Sequence, residues 1–277
     1  VAYAFEQHEP VSVAIPRIMN EQIVRAREHL TDTNLRPEKR VHEARKRFKE
    51  TRALLRLVRK PLGEMFASEN AWYRDIGRDL SAVRDADAVL EAVGKLELPS
   101  LVRTRVRRTL NKNRTHPPVE GLIANAEKQL VMAQSRIALW PRFDDSFDTL
   151  ADGLRQNYRG GRLAMKDANA PDELHEWRKF AKTHWYHVQL LRNLWPAVMK
   201  AYGGALDDLS DALGDHHDLH VLGRSIDPPP QELLDAIAAK QKELEHEAAE
   251  LGARIYAEKP NAWLARMRNT WSAWRRN

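Results

Sequence analysis

The chain carries one long basic helix twice. Shifting the sequence by 133 positions lays His42 on His175, Glu43 on Glu176, Arg45 on Arg178, Lys46 on Lys179 and Lys49 on Lys182, and without a gap it later lays Asp85 on Asp218. A repeat of this span implies two copies of one structural unit, which rules out most single-unit folds at the outset. At about 100° per residue, His42, Arg45, Lys46, Lys49, Arg52 and Arg56 fall within an arc of roughly 120°, with Ala44, Phe48, Thr51, Leu55 and Val58 behind them as a core face. The second copy places His175, Arg178, Lys179, Lys182 and Tyr186 on the matching arc, with Trp185 and Gln189 where the first has Arg52 and Arg56. Like charges three or four apart cost a few tenths of a kcal/mol each on an isolated helix. A solvated face is the ordinary explanation for such a stripe. Carboxylates are almost absent from this one, however, and the arrangement occurs twice, so a track for a polyanion explains it better.

The remaining elements all read as helices, since no run alternates as a strand would. Val11–Leu30 is helical, with Pro16 near its first turn, and Pro37 opens the first basic helix, which ends near Pro61. Met65–Val93 follows, with breaks expected at Gly77 and Gly94; Asp85 within it reads as a salt-bridge partner. Leu101–Arg114 is strongly basic, and its faces separate Arg103, Arg107 and Arg114 from Arg105, Arg108 and Lys112. His116-Pro117-Pro118 breaks the chain before Val119–Trp140, and Trp140-Pro141 divides one half, 10–140, from the other, 141–277. Phe143–Met165 brings Arg155, Arg159 and Arg162 to helical spacing. Gly160 and Gly161 would weaken it by about 1 kcal/mol each, and they read as a helix end or as room for an anion to approach the backbone. Pro171 starts the second basic helix, Ala197–Ile226 ends at Pro228-Pro229-Pro230, and Gln231–Ala257 and Pro260–Trp274 close the chain. Glu243, Glu245, Glu247 and Glu250 form an outer face away from the polyanion.

Taken together, His-x-x-Arg-Lys-x-x-Lys present twice, Ser81–Leu90, Leu213–Leu222, Gly153–Arg162, His175–Lys179 and the tail Ile255–Pro260 with Trp271–Trp274 resemble the CHAD domain, the conserved-histidine α-helical domain. The resemblance covers nearly the whole chain, 1–277, as a single domain. It implies an all-α fold of two pseudo-symmetric four-helix bundles around a basic central channel. It also implies non-catalytic binding of inorganic polyphosphate there, with some members of the family at polyphosphate granules. The residues expected to hold phosphate are those of the two arcs, joined by Arg155, Arg159 and Arg162. Arginine would contact phosphate oxygens in bidentate fashion, lysine would add a point charge and Tyr186 would be a neutral donor. His42 and His175 would add charge as pH falls through about 6.5.

Other chemistries fit less well. Asp215-His216-His217-Asp218 is the one cluster of metal-ligand type, but neighbours on a helix point about 100° apart and cannot converge on one ion. His184 and His187 face the apolar side as packed histidines. Neither a phosphate-binding Gly-rich loop nor a nucleophile elbow is present, so no enzyme activity and no cofactor are expected. A metal-dependent phosphohydrolase ranks last. Nucleic acid is the rival ligand, but single-strand binders interleave stacking aromatics, and Trp185 has no aromatic counterpart in the first copy. The 277 residues carry a net charge of +6 and no cysteine, which excludes disulfides and thiolate sites. With no apolar run long enough for a bilayer and no signal-like start, a cytoplasmic protein without membrane contact is expected.

Overall fold

The computed structural model describes residues 3–112 and 118–276, with only the helical backbone over 82–87. The role expected of Asp85, and those of Arg114 and His116, therefore lie outside the described residues. Among those described, twelve α-helices and two 3-10 turns form and there is no strand. The first seven helices are α1 (Val11–Thr31), α2 (Pro37–Leu57), α3 (Arg59–Leu62), α4 (Met65–Asp79), α5 (Ala82–Gly94), α6 (Ser100–Lys112) and α7 (Val119–Arg136). The turn Ile137–Leu139 follows, then α8 (Asp148–Asp167), α9 (Pro171–Leu190), the turn Arg192–Leu194, α10 (Pro196–Arg224), α11 (Gln231–Ile255) and α12 (Pro260–Arg276).

Proline starts α2, α9 and α10 at positions where its missing N–H costs nothing. On α2 the predicted core face is buried throughout: Ala44, Leu55 and Val58 are fully enclosed, with Phe48 and Thr51 close to it. Neighbour relations recur across the chain. α1 packs on α2 as α8 does on α9, α4 and α5 pack on α2 as α10 does on α9, α6 packs on α5 as α11 does on α10, and α7 packs on α1 as α12 does on α8. Between the two sets α2 meets α9 and α8, and α5 meets α10, so the two repeated basic helices lie against each other. The N-terminal residues tie the sets together. Tyr3 donates to the Glu50 carbonyl at 2.9 Å, Phe5 N–H to the Leu190 carbonyl at 3.0 Å, and Arg275 to the Gln7 carbonyl at 2.7 Å. Burial of Phe5 alone is worth about 1.5–3 kcal/mol.

Two expectations need correction. The break in the predicted helix Met65–Val93 falls at Leu80–Ser81 between α4 and α5, and Gly77 lies inside α4. In the repeat, α10 runs unbroken through the equivalent positions. Nor do Gly160 and Gly161 end α8. They lie inside the helix, where a Cβ would stand 2.3 Å from the Phe180 ring at Gly160 and 2.4 Å from the Tyr256 hydroxyl at Gly161. The missing side chains let α8 sit close to its neighbours.

Candidate functional site

The cations of α2 open into two clefts along one side of the helix. The first, of 290 Å³, lies between α2 and α4; Arg45, Lys49 and Arg52 face Arg74 and Arg78 across it. The second, of 490 Å³, lies where the end of α2, α3 and α8 meet, and it gathers Arg56, Arg59, Arg155 and Arg159 over Phe66, Leu163 and Phe180. From Arg45 to Arg59 the row extends roughly 20 Å at the helical rise.

What holds these cations matters more than their number. Arg56 donates to the Thr183 hydroxyl at 2.8 Å, Arg52 Nε to the Asn70 side-chain carbonyl at 3.2 Å, and the Arg59 guanidinium stands 5.0 Å over the Phe66 ring. Each partner is uncharged, so the guanidinium is fixed in place and its charge is not cancelled. Burial pushes the pKa of Arg52 down to about 10, with Arg56 and Arg74 adding repulsion, and burial lowers Arg56 as well. Both remain cations at neutral pH. Lys49 is under the strongest pressure. Desolvation first, then Arg178, Arg45 and Lys182, push its pKa down to about 8 against the opposing pull of Asp218. Yet the residue is exposed to solvent. A groove open above and crowded at its sides accounts for both observations.

Those neighbours bring the two copies of the repeat together: Arg178 and Lys182 belong to α9, Arg45 and Lys49 to α2. Arg178 packs so closely on α10 that a Cβ at Gly214 would lie 3.1 Å from its guanidinium. Its buried Nε has no hydrogen-bond partner among the described residues. His175 stacks on His217 with ring centroids 4.0 Å apart. Burial, then His217 and the nearby Lys179 and Arg178, push the His175 pKa down to about 4, so it stays neutral at the pH where it was expected to gain charge.

The stripe is also less free of carboxylates than the helical wheel suggests. Lys46 pairs with Glu43 at 3.2 Å, Arg155 with Asp152 at 3.2 Å, Lys182 with Asp207 at 3.0 Å, and Lys179 with Glu176. Three of these partners sit three residues earlier on the same helix, just off the arc, and Asp207 comes from α10. His42 Nε2 lies 3.9 Å from the Glu43 carboxylate. One residue leaves the cationic surface. Tyr186 is 5% exposed and meets Tyr3 edge-on at 6.3 Å, so the N-terminal segment covers it and it is core. Arg162 turns its Nε to the Tyr256 carbonyl at the end of α11, at 3.0 Å. Three cations that sequence reasoning passed over join instead. Arg59 follows the break after α2 and so lies off its wheel, and Arg74 and Arg78 come from α4. Arg74 and Arg78 are a turn apart, the one signal that pointed to them.

The Asp-His-His-Asp cluster fans out around α10. Asp215 pairs with Lys95, His216 with Glu245 at 3.0 Å, and His217 stacks on His175. Among the described residues no three His, Asp or Glu side chains are arranged to hold a metal ion. His187 is buried with Nε2 2.9 Å from the Ala53 carbonyl, and His184 lies 3.3 Å from the Tyr202 hydroxyl, as packed histidines do. On α6, Arg103 donates to the Leu96 carbonyl at 3.1 Å, while Arg105, Arg108 and Lys112 are exposed surface. No described helix is long and apolar enough to cross a membrane.

The family model of the CHAD domain matches residues 17–227. Among solved structures, the crystal structure of the CHAD domain from the plant Ricinus communis superposes with a TM-score of 0.54 at 19% identity, over 99% of this chain and 95% of that one. At that identity the likeness is one of fold. No curated protein matches.

Proposed function

The chain belongs to the CHAD domain family, and we propose that it binds inorganic polyphosphate, without catalysis, along the groove where α2 faces α4, α8 and α9. The observation that carries this is the row Lys49, Arg52, Arg56 and Arg59: the three arginines are held by uncharged groups, and Lys49 is crowded by Arg178, Arg45 and Lys182 more strongly than it is drawn by Asp218. Holding such charges side by side is unfavourable unless a polyanion arrives to relieve the repulsion. Arginine dominates the row, which suits bidentate contact with phosphate oxygens. Among the described residues no metal-binding triad is available to attack a phosphoanhydride, and on this reading the ligand is held and released intact. A protein of this kind would collect at polyphosphate granules.

Nucleic acid shares the phosphate track but brings a run of bases that need stacking surfaces repeated along the whole track. Trp185 is half-buried and its ring already carries Lys182 at 4.3 Å. The test is a competition titration of long-chain polyphosphate against single-stranded and duplex DNA at two salt concentrations. Polyphosphate should win by orders of magnitude, with affinity falling as salt rises. Equal binding of DNA would make the groove a general polyanion surface and refute the proposed ligand.

A further inference from the structure

The two clefts on α2 differ in character, and the difference assigns a second ligand class. The cleft between α2 and α4 is walled mainly by cations. The larger one at the end of α2 has four arginines above apolar side chains, among them Leu163, which is 48% exposed within α8. Leucine left open beside arginines does nothing for an inorganic phosphate chain. At 490 Å³ the cleft has the size of a small-molecule site, and its mixture of apolar lining with a few convergent polar groups is what such sites share. Its walls are fixed: Arg56 by Thr183, Arg59 by the Phe66 ring, and Asn157 by its side-chain N–H donated to the Phe180 carbonyl at 3.3 Å.

We infer that this cleft binds nucleoside polyphosphates, with the phosphates on Arg56, Arg59 and Arg159 and the base against Leu163 and Phe180. A guanidinium over an aromatic ring also leaves its other flat face free to take a base by stacking. Arg155, partly neutralised by Asp152 at 3.2 Å, contributes least. The inference rests on the cationic groove being an anion site. It is independent of whether polyphosphate fills the rest of it.

Calorimetric titration of ATP and inorganic tripolyphosphate, without divalent cations, separates the possibilities. Tripolyphosphate carries more charge, so a purely electrostatic cleft would prefer it. The expected result is that ATP binds about fivefold or more tightly than tripolyphosphate through the apolar contact. Leu163→Ala should remove that advantage while leaving tripolyphosphate unchanged, and Arg159→Gln should weaken both. Because Leu163 is half open to solvent, its truncation leaves the core intact, and circular dichroism checks this. ATP binding no more tightly than tripolyphosphate, or keeping its advantage in Leu163→Ala, overturns the inference. Loss of the polyphosphate preference over DNA, with the ATP result intact, would overturn only the polyphosphate assignment.

Discussion

Arg56 on α2 donates to the Thr183 hydroxyl on α9 at 2.8 Å, so the two basic helices of the repeat are joined through an uncharged group. Thr183 is 4% exposed and its hydroxyl donates in turn to the Lys179 carbonyl at 2.8 Å. A free arginine side chain loses up to ~2 kcal/mol of rotamer entropy when a ligand immobilises it; here much of that loss precedes binding. Thr183→Val keeps the volume and removes the acceptor. It should cost about 1 kcal/mol of stability and weaken polyphosphate binding roughly three- to tenfold. Thermal unfolding and fluorescence-anisotropy titration of the same variant check both, and unchanged affinity would show that Arg56 needs no fixing.

The two lysines paired by the repeat should not contribute equally. Lys49 is surrounded chiefly by cations, whereas Lys182 already has Asp207 at 3.0 Å. Lys49→Glu is expected to weaken polyphosphate binding about a hundredfold at low salt and Lys182→Glu by about tenfold or less. Glu250→Gln on the exposed side of α11 should change affinity by less than about twofold. Glu245 on the same helix would not serve as a silent control, because its carboxylate holds the buried His216. Equal losses from Lys49→Glu and Glu250→Gln would mean that overall charge, and not this groove, governs binding.

Periodicity made the helices and the α2 core face legible, and the 133-residue shift singled out two helices that lie against each other. What it could not show is what approaches a face from elsewhere in the chain. Tyr186 shares the angular sector of Lys182, and only Tyr3, distant in sequence, makes it core. Asp207 reaches Lys182 from another helix. Gly160 and Gly161 look like a weakness in α8 until Phe180 and Tyr256 are in place against them. The site was thus readable along α2, where one helix sets the geometry, and poorly readable wherever a third element decides.

The pH dependence follows from Lys49 and not from His175. Its pKa falls from 10.5 to about 8 on folding, so at neutral pH the ammonium is an unfavourable charge in the folded protein. Between pH 8 and 10.5 the folded chain gives up this proton while the unfolded chain keeps it, so this residue's contribution to stability rises with pH across that window. Anion binding has the opposite sign. It needs the ammonium, so affinity should be flat up to about pH 8 and decline above it. His175, held near 4, supplies no gain between pH 8 and 6. Lys49→Met should stabilise the protein at pH 7 slightly, by ~1 kcal/mol or less because solvent screens the group, and so raise its melting temperature. It should also abolish the decline in affinity above pH 8. Titrations at four pH values on both proteins check this; a decline that persists in Lys49→Met would assign it to another group.

The larger cleft forms where α8 comes close to the end of α2, and one glycine permits that approach. A Cβ at Gly153 would stand 2.1 Å from the Leu57 carbonyl oxygen, a backbone atom at the end of α2 that cannot turn aside. Gly160 faces the Phe180 ring, a side chain with some freedom to shift. Alanine favours a helix over glycine by about 1 kcal/mol, which works in favour of either substitution on propensity alone. Overpacking costs about 1–3 kcal/mol and more where the backbone must move, so Gly153→Ala should be destabilising on balance and Gly160→Ala less so. Because α8 carries Arg155 and Arg159 against Arg56 and Arg59, the displacement in Gly153→Ala should also weaken ATP and tripolyphosphate together, whatever the base contributes. Thermal unfolding ranks the two variants. A Gly153→Ala protein as stable as the parent, with unaltered anion binding, would show that α2 and α8 are not held at this separation.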